Sequence, residues 1–589
     1  NFLAYGQNLN VVRVANSSAL NATTDSANAV LIKSDETYYN TYYSEFGGAA
    51  NSNFGVFAAK YPGELGNSIK VSLCGSDIPA ANITGTSTIA FSAHEGTVTG
   101  TSTTFTSDVQ VGDVLQNQTT TTAFYIVTAV NNDTSMTVLG PSAASNTDVS
   151  SATVLKRMKL SHFESSADEM LGTVQISDSA RKVATGVGTV FDMQITVGDV
   201  LTIGGERHKV ESITSNTSLT LETAVSPNNT GVAGAVAYSR EWEFASSFDY
   251  PPLTSDFATR RGVTQDEVHV IVIDEDGEWT GVKGTVLEVF PALSVASDAK
   301  SEDGTALYYK EAINRQSKYI WWMKHPTAGG ADTAPNTAAW GTSANSALKP
   351  AFTANAINFS TSMTGGADGQ TLTDANKIGG FDKFKSAEDI DISLVLSCDA
   401  SSTVVSYLIS NIAEVRKDCM IFCSPEQADV VNNDGNETSA IIDYRNNLPS
   451  TSYAVIDSGW KYQYDKYNDT FRYIPLNADT AGLVVRTTLE RDFFFSPAGF
   501  NRGQVKNVAR LAWNPSKTER DLLYKNGINP VVSFSGQGTI LFGDKTLLAK
   551  PSAFDRVNVR RLFITLEKSI STFAQFSMFE FNDDFTRSS

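Results

Sequence analysis

The pentapeptide Val-Gly-Asp-Val-Leu occurs twice, at 111–115 and at 197–201, an offset of 86 residues (197 minus 111). Thr99, Gly100 and Phe105 find counterparts in Thr185, Gly186 and Phe191 at the same offset. Further on, Thr134-Ser-Met-Thr-Val138 matches Thr217-Ser-Leu-Thr-Leu221 at an offset of 83 (217 minus 134). One loop of the second copy is therefore three residues shorter (86 minus 83). Similarity held at a fixed offset is evidence of a repeated structural unit, and two copies are too few for a solenoid. Both copies alternate apolar and polar residues with period two around Gly-Asp turns, within a region (80–240) rich in Thr, Ser, Val and Gly. Each is predicted to be a small antiparallel β-barrel or sandwich, with the turn glycine at positive φ and the aspartate bonding its own backbone.

At 589 residues the chain exceeds the size at which one core stops growing, so three or more domains are expected. Upstream of the repeats, Leu9-Asn-Val-Val-Arg-Val14 reads as a strand, Pro62-Gly63 as a turn and 68–73 as a half-buried strand. Downstream, 267–273 and 282–290 read as strands joined by a turn at 274–277, and 308–315 as a helix leading into 318–323. The Ala-, Thr-, Asn- and Gly-rich stretch 325–360 reads as a surface loop. Beyond 365 the pattern becomes α/β. Apolar runs at 390–396 and 418–423 suit strands, the first buried on both faces, and between them Val404, Leu408, Ile412 and Val415 keep helical spacing, a βαβ unit. Helices are expected at 504–511 and 520–525, and 563–581 is dense in Phe. The fold class is multidomain α+β. It comprises a middle, mixed β-rich domain from 1–79 plus 241–364, inserted β-modules at 80–160 and 161–240, and a C-terminal α/β domain at 365–589.

Lys and Arg number 45 against 64 Asp and Glu, a net charge of −19. That balance argues against a nucleic-acid partner, which needs clustered cations. No window nears the ~18 apolar residues of a membrane span. Cys419 and Cys423 share a strand face but lie too far apart for a disulfide; with Cys74 and Cys398 they read as small buried hydrophobes of a reducing compartment. A zinc site would need further soft ligands, and His94, His162, His208, His269 and His325 are scattered, so no metal is expected. Gly365-Gly-Ala-Asp-Gly369 lacks the spacing of a dinucleotide or phosphate loop and reads as a turn from strand to helix, so no cofactor is expected. Asp274-Glu-Asp-Gly277 lacks the distal glutamate of a calcium loop and reads as a turn. No Gly-x-Ser-x-Gly elbow or convergent acid, base and nucleophile is present, so catalysis is not expected.

The block Trp460-Lys-Tyr-Gln-Tyr-Asp-Lys-Tyr-Asn-Asp469, followed by Arg472-Tyr-Ile-Pro-Leu476 and Ala481-Gly482, closely resembles the central signature of tail sheath proteins from contractile-tailed bacteriophages. Further matching pieces run in order along the chain: Phe2-Leu-Ala-Tyr-Gly6, Tyr61-Pro-Gly-Glu-Leu-Gly66, Ser496-Pro-Ala-Gly499, Leu541-Phe-Gly-Asp-Lys-Thr546, and Asn558-Val-Arg-Arg-Leu-Phe563 through to 585–589. The signature positions are Tyr61, Pro62, Gly63, Trp460, Tyr462, Tyr464, Asp465, Tyr467, Pro475, Pro497, Gly499, Asp544, Arg560 and Arg561. Phe573, Phe576, Phe579 and Phe581 read as core or as the seat of a subunit contact.

The resemblance implies a structural subunit of the virion tail, assembled in the bacterial host cytoplasm. It would stack as rings of six copies around a tail tube protein, bounded by baseplate and tail terminator proteins, and contract to drive the tube through the host envelope. It implies no direct membrane insertion. Each interface would have two packings, the contracted one lower in free energy. Family members stay linked through terminal arms that add strands to a neighbour's sheet. This chain has little sequence at either end to match those arms, so this span alone is expected to be monomeric. The duplicated region falls where the resemblance lapses. It is expected to be an outward-facing insertion dispensable for contraction, with the C-terminal domain near the tube. The competing reading is a virion surface decoration or receptor-binding protein that uses the tandem modules.

Overall fold

The computed structural model describes residues 2–25, 30–43, 55–77, 80–109, 111, 113–120, 123–140, 146–159, 161–326, 340–345, 352, 358–576 and 578–584. Most of the loop expected at 325–360, Gly112 of the first pentapeptide and the 585–589 end of the last matching piece lie outside them. The chain forms two compact units: Ser17–Gln370, and Asn1–Asn16 together with Thr371–Ser589.

The first unit is built on a four-stranded antiparallel sheet in the order Thr285–Ser294, Glu267–Asp274, Ile69–Gly75, Asn358–Ser362. The two central strands are buried on both faces, unlike the half-buried strand expected at 68–73. Ile69, Val71, Leu73, Val268, Val270 and Val272 face the main core with Trp322 and Tyr309. The alternate residues Cys74, Ile271 and Ile273 face a second cluster around Trp242, whose indole Nε1 donates to Ser72 Oγ at 2.9 Å. The strand expected at 282–290 starts later, at Thr285, because Asp274 organises the preceding turn. Its carboxylate accepts from Ser68 Oγ (2.6 Å) and from the N–H groups of Trp279 (3.0 Å) and Thr280 (2.8 Å).

The two repeats fold alike. In the first, the sheet order runs Leu155–Arg157, Val114–Asn117, Phe124–Asn132, Ser135–Leu139, Glu95–Thr101, Thr86–Ser92. In the second it runs Tyr238–Glu241, Val200–Ile203, Glu206–Ser215, Ser218–Leu221, Val183–Val187, Thr173–Ile176. In both, the segment just ahead of the exit strand crosses back to the first strand: Val149–Thr153 pairs with Thr86–Ser92, and Val236 bridges Val174. Each sheet thereby closes toward a barrel. Register shifts fall at Val127/Ala129 and Val130/Asn132 in one copy and at Val210/Ser212 and Ile213/Ser215 in the other, again 83 residues apart (210 minus 127). Phe105 and Phe191 fill the two cores and are fully buried. The shared glycines have a steric cause. A Cβ on Gly100 would sit 2.0 Å from Thr103 Oγ1, and one on Gly186 1.9 Å from Thr189 Oγ1.

In the second unit, Leu394–Leu396, Met420–Cys423 and Ala454–Ile456 form a parallel sheet in that order. Helix Ser402–Leu408, continued through a π-turn at Ile409–Ala413 to Arg416, makes the crossover of the expected βαβ unit. Lys417, at φ 64°, ends it. Val404, Leu408 and Ile412 cover one face of the sheet, and Ala481, Val484, Val557 and Ile564 cover the other. The strand expected at 390–396 is confined to Leu394–Leu396, where only Val395 is fully buried, whereas Met420–Cys423, the middle strand, is buried throughout. Cys419 and Cys423 are buried and free, whereas Cys398 is exposed, contrary to expectation.

Two expected elements are absent among the described residues. Residues 504–511 form no helix. Asn507 adopts φ 54°, and Arg510–Leu511 pairs with the strand Trp460–Asp465. Leu9 to Val14 joins no sheet, and Leu9, Val11 and Val12 are exposed. Residues 2–6, grouped with the middle domain on sequence, instead pack on helix Asn477–Glu490 in the second unit: Phe2 contributes to the Ala481 and Val484 cluster.

Candidate functional site

The signature block folds as the hairpin Trp460–Asp465 with Thr470–Pro475, in which Trp460 lies opposite Pro475. Its two ends behave differently. At the base, Trp460 is buried and donates from Nε1 to the Pro425 carbonyl at 2.8 Å. Tyr462 packs between Phe471 and Tyr473, with the Arg510 guanidinium 4.9 Å from its ring centre. At the tip, Asp465 holds the turn by accepting from the Tyr467 N–H (3.1 Å) and Asn468 Nδ2 (2.8 Å). Tyr464 donates to Asp469 at 2.7 Å, and Tyr467 is 86% exposed.

Behind the base sits a closed polar cluster that the sequence reading missed. Lys461 Nζ donates to Asp479 Oδ1 at 2.9 Å and to the Lys506 carbonyl at 2.9 Å. Tyr5 Oη donates to the same Asp479 oxygen at 3.0 Å and accepts from the Lys506 N–H at 2.6 Å. Burial dominates both charges: it lowers the Lys461 pKa and raises that of Asp479, each against the partner's attraction. Beside them, Asp457 accepts from Ser424 Oγ (2.9 Å), Thr480 Oγ1 (3.2 Å) and the Gly459 N–H (2.9 Å). Burial pushes its carboxyl up to about 7. These groups are almost wholly shielded from solvent, so they join elements rather than meet a substrate. Tyr5, from the first matching piece, also explains the Ala481-Gly482 match. A Cβ on Gly482 would lie 2.4 Å from Tyr5 Cδ2.

Other signature positions also support the backbone. Gly499, at φ 91°, donates to the Leu541 carbonyl at 2.9 Å beside buried Pro497. Asp544 accepts from Ser496 Oγ at 2.8 Å and Arg556 at 3.3 Å. Arg560 donates to Ser452 Oγ at 3.0 Å and stacks over Tyr453 and Phe554. Arg561 donates to Thr488 Oγ1 at 3.0 Å, and burial lowers its pKa to about 10. In the other unit, Gly63, at φ 138°, turns the chain between exposed Tyr61 and the helix-like Glu64–Ser68, with Pro62 buried.

A large exposed apolar surface in the second unit lies on helix Val557–Gln575 and the residues after it. The helix buries Val557, Arg560 and Ile564, then leaves the sheet. Leu566, Ile570 and Phe573 continue as an exposed stripe at spacings of four and three. Phe576, Phe579 and Phe581 follow, between 80% and 100% exposed. They are therefore not core. A groove of ≈ 550 Å³ runs beside the stripe, lined by Met420, Ile564, Arg561, Lys568 and Phe573 among others. Among the described residues no cluster of His, Cys, Asp or Glu could hold a metal, and no helix is long and apolar enough to cross a membrane.

This arrangement is that of a structural protein: motif residues brace a scaffold, and among the described residues the aromatic end of helix Val557–Gln575 is left exposed. Residues 370–547 match the family model described as the phage tail sheath protein central domain, so the chain carries a domain of the tail sheath family. It is 45% identical over 248 residues to the tail sheath protein of Vibrio phage KVP40, covering 38% of this chain and 36% of that one. It is 32% identical over 339 residues to that of Salmonella phage ViI (56% and 48%), and 41% identical over 235 residues to that of Enterobacteria phage T4 (37% and 36%). The chain thus spans between about a third and a half of the length of these relatives. The sheath tail protein Lin1278 from Listeria innocua superposes on 52% of this chain and 53% of its own with 12% identity and a TM-score of 0.31. The relatives are structural proteins rather than enzymes.

Proposed function

We propose that this chain is a structural subunit of a contractile tail sheath, which polymerises with copies of itself around a tail tube as stacked six-membered rings and shortens to drive the tube through the host envelope. The observation that carries this reading is the exposed aromatic end of helix Val557–Gln575 beside its groove, in the unit that holds the family match. A contiguous apolar surface of this kind on a folded unit is a contact surface. Its occupant in this reading is another copy of the subunit. The C-terminal domain faces the tube, and the tandem modules form an outward insertion. Baseplate and terminator proteins bound the polymer, which resides in the virion after assembly in the host cytoplasm.

The test is the triple variant Phe573→Ser, Phe576→Ser, Phe579→Ser in the gene product that contains this chain. These side chains are exposed, so the variant keeps its circular dichroism and melting temperature. It should fail to build sheath in infected cells, leaving bare tubes or no tails. Normal contractile tails would contradict the reading.

A further inference from the structure

Between the two β-modules lies a cleft of ≈ 520 Å³, a volume typical of small-molecule sites. The first copy lends it the rings of His94 and Phe124. The second lends it Asp192 and Asn216, with the bare backbone of Gly172 and Gly188 forming part of the wall. Both glycines adopt positive φ; a Cβ on Gly188 would meet only Gly172, at 3.8 Å, so the wall is open at that residue.

The duplication supplies an internal control. The residue equivalent to Asp192 in the first copy is Thr106 (192 minus 86), and that equivalent to Asn216 is Asp133 (216 minus 83). In the first copy these two satisfy each other: Thr106 donates from both its N–H and its hydroxyl to Asp133 Oδ1. In the second copy the backbone half survives, with Asp192 N–H donating to Asn216 Oδ1 at 3.1 Å. The side-chain half does not. Among the described residues nothing bonds the Asp192 carboxylate or the Asn216 amide nitrogen. The second copy, whose turn lines the cleft, has thus exchanged a self-contained turn for an acceptor and a donor without partners among the described residues.

We infer that this cleft binds an uncharged sugar unit. A planar carboxylate, an amide and backbone peptides match vicinal hydroxyls, and the partly exposed Phe124 ring offers an apolar platform for a sugar face. No Lys or Arg lines the cleft among the described residues, which disfavours phosphate and acidic sugars. This site is independent of the sheath reading and holds whether or not the chain polymerises.

The test is saturation-transfer NMR on the full chain with methyl glucoside, methyl galactoside and N-acetylglucosamine as probes. At least one should bind with a Kd on the order of millimolar, with affinity falling at least ~10-fold in Asp192→Ala and in Asn216→Asp. The second variant restores the first copy's residue and keeps its backbone cap. Thr106→Ala, in the first copy, should leave binding unchanged. Absence of binding by all three sugars at ~20 mM, or binding indifferent to both cleft variants, would overturn the inference.

Discussion

Gly482 shows how a single residue can be required by a neighbour almost 480 positions away. Alanine in its place would gain about 1 kcal/mol of helix propensity. Its Cβ, however, would strike the Tyr5 ring at 2.4 Å, and overpacking of a core costs about 1–3 kcal/mol. Gly482→Ala should therefore be destabilising on balance, measured by chemical denaturation, and Tyr5→Ala in the same background should remove the clash. Asp457 makes a pH prediction. Its folded carboxyl is raised from 3.8 to about 7, so the folded chain holds a proton that the unfolded chain releases. The resulting stability is complete below about pH 4, declines by at most about 1.4 kcal/mol per pH unit, and is lost once pH passes the folded value. Asp457→Asn should match the parent near pH 4 and exceed its stability at pH 8; equal stabilities at pH 8 would refute a raised pKa. The Val-Gly-Asp aspartates were legible as turn residues and Gly198 does take φ 98°, but their larger role was not. Asp199 meets buried Arg240 at 3.0 Å, and Asp113 meets Arg157 at 3.9 Å. Both arginines sit 83 residues apart (240 minus 157), a signal present in the sequence. Arg240→Met should cost about 3–5 kcal/mol by stranding a buried carboxylate, and Arg157→Met, at the looser and wetter pair, clearly less.

At the scale of elements, the repeat was legible because β-structure preserves spacing. Strand order, bulge positions and core phenylalanines all fall at the offsets 86 and 83. The crossover helix was legible from its apolar stripe. The stretch 504–511 was not, because its backbone is claimed by distant side chains: Tyr5 takes the Lys506 N–H and Lys461 takes its carbonyl. The stretch 563–581 was read only as dense in Phe; it falls largely on helix 557–575, of which only the first turns are covered, and composition cannot say which apolar residues find a neighbour. Equivalent elements should respond alike. Phe105→Ala and Phe191→Ala each remove a fully buried ring, worth about 3–5 kcal/mol, and hydrogen exchange should show the loss of protection confined to the module that carries the substitution. Loss spreading evenly over both modules would mean that they do not fold as separate units.

On the scale of the molecule, the second module is riveted to the main sheet. Glu243 binds Lys70 at 3.0 Å and Lys209 at 2.5 Å, and Trp242 plugs the sheet's second face. Both residues lie just beyond the duplicated region, so deletion of 80–240 removes the modules and Phe163 but leaves Trp242, Phe244 and Phe248 over Cys74 and Ile271. Such a deletion should fold and, in the proposed function, still yield contracting tails; loss of tails would assign the modules a part in assembly. The two β-modules were visible in the repeated sequence, whereas the chain forms two compact units rather than the three or more domains its length suggested, and the packing of residues 2–6 with the C-terminal unit depends on contacts that no local pattern encodes. The central claim is polymerisation as a sheath. Negative-stain electron microscopy of the gene product containing this chain tests it directly. Hollow tubes or stacked six-fold rings with protrusions on the outer surface are the predicted result, and dispersed particles both alone and with the tail tube and baseplate supplied would contradict it.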